Sequence, residues 1–117
     1  MIEISTSFQP YRMVLYRKAP VELRVKIKNA GTESALISYR LLLPAELSLD
    51  KTGLSGQHSE KLGEVKPGET AEQIFDIYAR PLANQGNAEI KISATEHYNN
   101  YEFSMKEYKK KVGLVIS

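Results

Sequence analysis

The feature that most constrains the fold is a strict alternation of apolar and charged residues near the start of the chain. In residues 21–28, every odd position carries Val, Leu or Ile, and every even position carries Glu, Arg or Lys. A period of two places all four apolar side chains on one face of an extended strand, whereas a helix would scatter them around its circumference. Residues 21–28 are therefore predicted to form a half-buried β-strand.

The same alternation recurs along most of the 117-residue chain. It is clear in residues 35–43, 74–79 and 87–95, and no long helical pattern interrupts it. The polar, glycine-containing stretch 50–60 is predicted to be a loop. Shorter strand candidates, which raise the predicted number of strands to seven or eight, are residues 2–5, 13–17, 47–50 and 61–65.

Turn chemistry separates the predicted strands. In Lys66-Pro67-Gly68-Glu69, proline presets φ at the second position and glycine accepts a positive φ at the third, as a type II turn requires. The pair Asn99-Asn100 predicts a two-residue hairpin of type I′, because asparagine tolerates positive φ. That hairpin would place Tyr98 opposite Tyr101 and His97 opposite Glu102.

The last segment of the chain allows two interpretations. Its apolar residues change from odd to even positions, so a strand here needs a β-bulge near Lys106-Glu107. The alternative is a short amphipathic helix over residues 103–112 that ends at Gly113. We favour the strand, because an all-β chain needs a closing partner at this point.

Composition removes several classes of chemistry. The chain has no cysteine, which excludes disulfides, thiolate metal sites and cysteine nucleophiles. Its two histidines, His58 and His97, match no zinc-ligand spacing, and neither has a nucleophile motif beside it. No glycine-rich phosphate loop is present. We therefore expect no catalytic residues, no metal site, no cofactor and no enzymatic activity.

The balance of charges argues against a nucleic-acid partner. The net charge is +2, and the basic run Lys109-Lys110-Lys111 has Glu102 and Glu107 close to it in the sequence. Nucleic-acid binding is therefore not expected. No apolar run reaches about 18 residues, so no segment is predicted to span a membrane.

Strands of this number and spacing predict one all-β domain over residues 1–117, an immunoglobulin-like antiparallel β-sandwich. Three segments also resemble a known family: Asn29-Ala30-Gly31 after a strand, Leu43-Pro44 after another, and residues 62–69 with their Pro-Gly turn. Together they resemble the CARDB-like (cell-adhesion-related) and S-layer-associated immunoglobulin-like domains of bacteria and archaea, over about residues 20–95. Domains of the major sperm protein type share a similar Asn and Pro-Gly pattern.

The resemblance implies a non-catalytic spacer, carrier or binding module. Such a module would bind a protein partner, or a second copy of itself as a homodimer, through end loops or an exposed edge strand. An alternative is a carbohydrate- or other ligand-binding accessory module that uses exposed residues among its seven tyrosines. The compartment would be cytoplasmic if Met1 is the native start and extracytoplasmic if the chain is an excised domain. Candidate contact residues, at the predicted hairpin tip, are His97, Tyr98, Asn99, Asn100 and Tyr101.

Overall fold

A computed structural model describes residues 1–81, 83–98, 100–102 and 104–117. Within these residues the chain is all-β, and seven of its strands have eight residues or more. The described strands, including two of only two residues, are β1 (Ile2–Gln9), β2 (Arg12–Met13), β3 (Val21–Asn29), β4 (Ala35–Leu42), β5 (Leu47–Ser48), β6 (Gln57–Val65), β7 (Thr70–Ala79), β8 (Gly86–His97) and β9 (Ser104–Ile116).

The strands form two sheets that enclose one apolar core. One sheet has the order β1-β3-β7-β5, and the other has the order β2-β9-β8-β4-β6. The predicted alternation of β3 is confirmed, since its odd positions are buried and its even positions reach solvent. Leu23 and Ile27 of β3 and Ile37 and Leu41 of β4 are completely buried. Burying each such side chain contributes about 1.5–3 kcal/mol, so the core is the main source of stability.

The chain changes sheets early, between β1 and β2. β1 pairs with β3, whereas β2 runs parallel to the end of β9 in the other sheet. The predicted strand over residues 13–17 is wrong, because strand geometry ends at Met13 and Leu15–Arg17 form a 3-10 turn. The Leu15 N–H donates to the Ser117 carbonyl, and the Lys18 N–H donates to the Leu15 carbonyl. These backbone groups therefore have hydrogen-bond partners without pairing in a strand.

The predicted loop over residues 50–60 is too long, because β6 begins at Gln57. β6 is the edge strand of its sheet and pairs only with β4 among the described strands. From Gln57 to Lys61, the residues on both faces of the strand are exposed. An edge strand that buries neither face shows no apolar alternation, and its sequence therefore resembles a loop.

The predicted register of the last hairpin is also wrong. β8 continues to His97, which pairs with Ser104 and not with Glu102. Within the connection, the Asn100 side chain accepts a hydrogen bond from the Glu102 N–H at 2.9 Å, and the Asn100 N–H donates to the Tyr98 carbonyl. These local bonds compete with strand pairing next to the turn. The predicted type I′ turn includes Asn99, which lies outside the described residues.

The strand interpretation of the last segment is confirmed, and the helical alternative over residues 103–112 is wrong over the part described. β9 pairs with β8 along almost its whole length. Glu96 pairs with Lys106 and His97 with Ser104, so Met105 is an extra residue in the ladder. This bulge lies directly before the predicted position, Lys106-Glu107, and it accounts for the change of apolar phase.

Asn29 connects three segments at one end of the sandwich. It is only 1% exposed. Its Nδ2 donates to the carbonyls of Glu33 (2.8 Å) and Val65 (2.9 Å), and its Oδ1 accepts from the Gly31 N–H at 2.9 Å. Its backbone carbonyl accepts from the Gly68 N–H at 2.7 Å. One side chain therefore fixes the β3–β4 loop and the end of β6.

Replacing Asn29 by alanine should lower the free energy of unfolding by about 1–3 kcal/mol, because the buried Val65 carbonyl and two partly buried backbone groups lose their partner. Urea denaturation measures this difference. Asn87→Ala, at an exposed position of β8, is the matched control and should change stability by less than about 0.5 kcal/mol. Equal stability of the two variants would show that the Asn29 contacts contribute nothing net.

The predicted Pro-Gly turn joins β6 to β7. The Glu69 N–H donates to the Lys66 carbonyl at 3.0 Å, and Gly68 has φ of 82°. A Cβ on Gly68 would meet no atom within 4 Å. The turn therefore requires glycine for its backbone conformation alone.

Gly68→Val should destabilise the protein by more than about 1 kcal/mol, since a β-branched residue resists positive φ. Gly68→Asn should lose clearly less, because asparagine enters the left-handed region more easily. Thermal unfolding followed by circular dichroism compares the two variants. An unchanged melting temperature in Gly68→Val would argue against this turn.

Candidate functional site

His97 ends β8 on the outer face of the five-stranded sheet. Its Nε2 lies 2.7 Å from the Ser38 hydroxyl on the neighbouring strand β4, in a hydrogen bond. Its Nδ1 is buried and has no hydrogen-bond partner among the described residues. His97 is thus held half-buried against the sheet rather than projecting from a tip.

Tyr101 lies across the same face. Its hydroxyl accepts a hydrogen bond from the Gly63 N–H of β6 at 2.8 Å. Its ring packs edge-on against the His97 ring, with centroids 5.1 Å apart, and the Lys61 ammonium lies 4.9 Å from its centroid. Gly63 has φ of 78° beside a register shift between β4 and β6. The Tyr101 side chain therefore links the segment between β8 and β9 to the bulge of β6.

Tyr98 and Asn100 are the predicted contact residues that reach solvent. Tyr98 is 60% exposed, and Asn100 is also exposed. Asn99 lies outside the described residues. The structure thus separates the predicted set into two anchored side chains, His97 and Tyr101, and two solvent-facing ones. A binding role for these residues stays a prediction.

Tyr98 and His97 line a cavity of about 680 Å³ between the end of β8 and the β3–β4 loop. Its other lining residues include Glu33, Glu64 and Glu96, and lysine and arginine do not occur among those described. Among the described residues, no group of three or more histidine, aspartate or glutamate side chains is arranged to hold a metal ion. This end of the sandwich is therefore an acidic, polar depression.

A second cluster lies where the edges of the two sheets meet. The rings of Tyr39, His58 and Phe75 pack together with centroid separations of 5.5 to 6.4 Å. The Tyr39 hydroxyl donates to Glu60 at 2.8 Å, and burial together with this hydrogen bond raises the pKa of the Tyr39 phenol above its ordinary value. Sequence reasoning missed this cluster, because it placed His58 in a loop.

The most exposed tyrosines do not share one groove. Tyr11 and Tyr16 lie beside β2 at one end of the sandwich, and each has an arginine near its ring. Tyr98 lies at the opposite end, beyond β8. Stacking of a carbohydrate on several tyrosines at once finds no support in this arrangement.

Comparison with known proteins adds no relative: no family model matches the chain, and no curated protein does so either. In the described part of the chain, no helix has the length and apolar character needed to cross a bilayer.

The two tyrosines of the predicted contact pair should behave differently on substitution. Tyr101→Phe should lower the free energy of unfolding by about 0.5–1.5 kcal/mol, because the Gly63 N–H loses its acceptor. Tyr98→Ala should leave stability almost unchanged, since its ring is in solvent. Chemical denaturation measures both. A larger loss in Tyr98→Ala than in Tyr101→Phe would contradict the assigned contacts.

Proposed function

We propose that the protein is a non-enzymatic structural or interaction module of immunoglobulin-like fold, and that it binds an extended segment of a protein partner along β7. The order β1-β3-β7-β5 corresponds to the A-B-E-D sheet of such domains, and β9-β8-β4 corresponds to G-F-C. One departure is that β6 follows β5 in the chain although it borders β4. The backbone of Asn29 contacts the Pro-Gly turn, so two of the three segments that resemble CARDB-like domains lie together in the fold.

The open side of β7 is the observation that carries the proposal. β3 pairs with residues 70–77 on one side of β7, whereas on the other side β5 pairs only with Tyr78 and Ala79. No other described strand pairs with β7. Residues 70–77, about 25 Å of strand, thus border an open side, and alternate residues direct their backbone N–H and C=O groups towards it.

Side chains protect the other long edges against such pairing. Along β6 the exposed residues include Glu60 and Lys61, and the bulge at Gly63 distorts the edge. On β1 the Lys110 ammonium donates to the Ile4 carbonyl at 3.2 Å. On β9 lysines occupy residues 109–111. Charges and bulges at an edge discourage strand addition. Residues 70–77 of β7 contain no lysine and no register shift, and their two acidic residues, Glu72 and Asp76, would be neutralised by a basic partner strand.

The side chains of β7 define which partner it fits. Its solvent-facing row runs Glu72, Ile74 and Asp76, and Ile74 is 53% exposed. Directly opposed pairs in a sheet favour opposite charges and apolar contacts. The matching partner strand therefore has an apolar residue opposite Ile74 and basic residues two positions away on each side.

A synthetic heptapeptide tests this pairing. Its sequence is Thr-Lys-Thr-Val-Thr-Lys-Thr, with valine at the centre and a lysine two positions away on each side. The control peptide has glutamate in place of both lysines. Titration into the isotopically labelled protein should shift the amide signals of residues 70–77. The glutamate peptide should bind at least about fivefold more weakly, because it places like charges opposite Glu72 and Asp76.

Ile74→Lys should abolish peptide binding without unfolding the protein, because it adds a charge at the centre of the open edge. Val115→Lys is the matched control, since Val115 is 49% exposed on β9 of the other sheet. Shifts that map to residues 98–102 would instead favour binding by the end loop. Equal peptide affinity of the two variants would overturn the assignment to β7. Analytical sedimentation of the protein without peptide tests separately whether two copies pair through this edge.

A further inference from the structure

A cavity of about 830 Å³ opens at the end of the sandwich opposite Asn29. It lies between the chain segment that follows β2 and the segment that follows β7. Its lining includes the apolar groups of Met13, Leu15, Pro20 and Pro81. A concave site of this volume with apolar walls is typical of small-molecule pockets.

Three cationic side chains share this cavity. Lys18, Lys51 and Arg80 line it, and none of the lining residues that the structure describes is an aspartate or glutamate. None of the three forms an ion pair within 4.0 Å with another described residue. The cavity thus combines apolar walls with a local excess of positive charge.

The carboxylate next to Lys51 in the chain is already engaged. Asp50 accepts hydrogen bonds from the hydroxyls of Ser48 (2.7 Å) and Thr52 (2.8 Å) and from two backbone N–H groups of the same loop. These bonds hold the pKa of Asp50 well below its ordinary value. Asp50 is therefore occupied in shaping its own loop.

Arg80 is held in place by close packing. Its backbone N–H donates to the Glu46 carbonyl, and a Cβ on Gly56 would lie only 2.9 Å from Nη2 of Arg80. Its Nε is buried and has no hydrogen-bond partner among the described residues. Within the described part of the chain, Arg80 therefore lines the cavity with an unpaired positive charge, and its guanidinium retains an unsatisfied donor.

Lys18, which lines the cavity, has an unusual backbone conformation. It has φ of 51° and ends the 3-10 turn Leu15–Arg17, and it is the one non-glycine residue with positive φ among those described. Glycine or asparagine adopts this conformation more readily than lysine does. Lysine at this position places a positive charge at the cavity in spite of the less favourable backbone conformation.

We propose that this cavity binds a small carboxylate with an apolar aliphatic or aromatic body, whose charge is received by Lys18, Lys51 and Arg80. The apolar body would lie against the walls near Leu15 and Pro81. This small-molecule site is separate from strand addition at residues 70–77 of β7, so either activity can be lost without the other.

Decanoate and 2-naphthoate serve as probes, and decanol is the uncharged comparison. Titration calorimetry measures affinity, and amide shifts of the labelled protein locate the site. The test variant combines Lys18→Asn, which suits a positive φ, with Lys51→Gln. The control variant combines Lys109→Gln with Lys111→Gln, which removes the same number of positive charges from exposed positions of β9.

At least one carboxylate should bind, with shifts concentrated in residues 14–20 and 78–81, and decanol should bind at least about tenfold more weakly. The Lys18/Lys51 variant should lose at least about tenfold in affinity, and the control variant should stay within about twofold. The proposal is overturned if neither carboxylate binds at millimolar concentration, if decanol binds equally well, or if both double variants retain affinity. Shifts confined to residues outside the cavity would overturn it as well.

Discussion

The side-chain and backbone contacts of Asn29 are the constraint on which the geometry of one whole end depends. An amide with a fixed donor and acceptor satisfies groups in the β3–β4 loop and at the end of β6 together. The backbone of the same residue bonds to both Gly68 and Glu69 of the following turn. A buried polar group with all its partners present specifies one arrangement, because any displacement leaves several groups unsatisfied. Both sheets are therefore fixed relative to each other at this end.

The opposite end has a different construction. There the chain passes from β1 to β2 through a short connection, and the loops after β5 and β7 are shaped mainly by their own contacts, as around Asp50. Loops that satisfy themselves locally need not fill the space between them. The two ends also differ in charge, since cationic side chains line the cavity at this end whereas glutamates line the cavity at the Asn29 end.

Sequence reasoning identifies the parts of this fold that local chemistry determines. Burial on one face imposes the alternation in β3 and β4, and the Pro67-Gly68 pair specifies its own turn geometry, so both features are confirmed. The reasoning fails where a strand has no buried face to impose a pattern. For this reason the sequence predicts a loop over the first residues of β6, and it predicts a hairpin at Asn100 although the Asn100 side chain forms a local turn.

The candidate sites cannot be predicted from short sequence segments, because the pairing register of the strands and the packing of the sheets bring their residues together. Two bulges, at Met105 and beside Gly63, decide which residues of β9 and β6 stand next to β8 and β4. Tyr101 reaches the Gly63 N–H only because that bulge turns the group away from the ladder. Lys18, Lys51 and Arg80 are likewise distant in sequence and adjoin one cavity only after both sheets are packed. Ile74 is visible in the sequence as an apolar residue on the row that holds Glu72 and Asp76, but a single exposed apolar residue is common on a folded protein. What gives Ile74 a place in the proposed binding edge is that no described strand pairs with residues 70–77 on the side away from β3, and only the assembled sheet shows this.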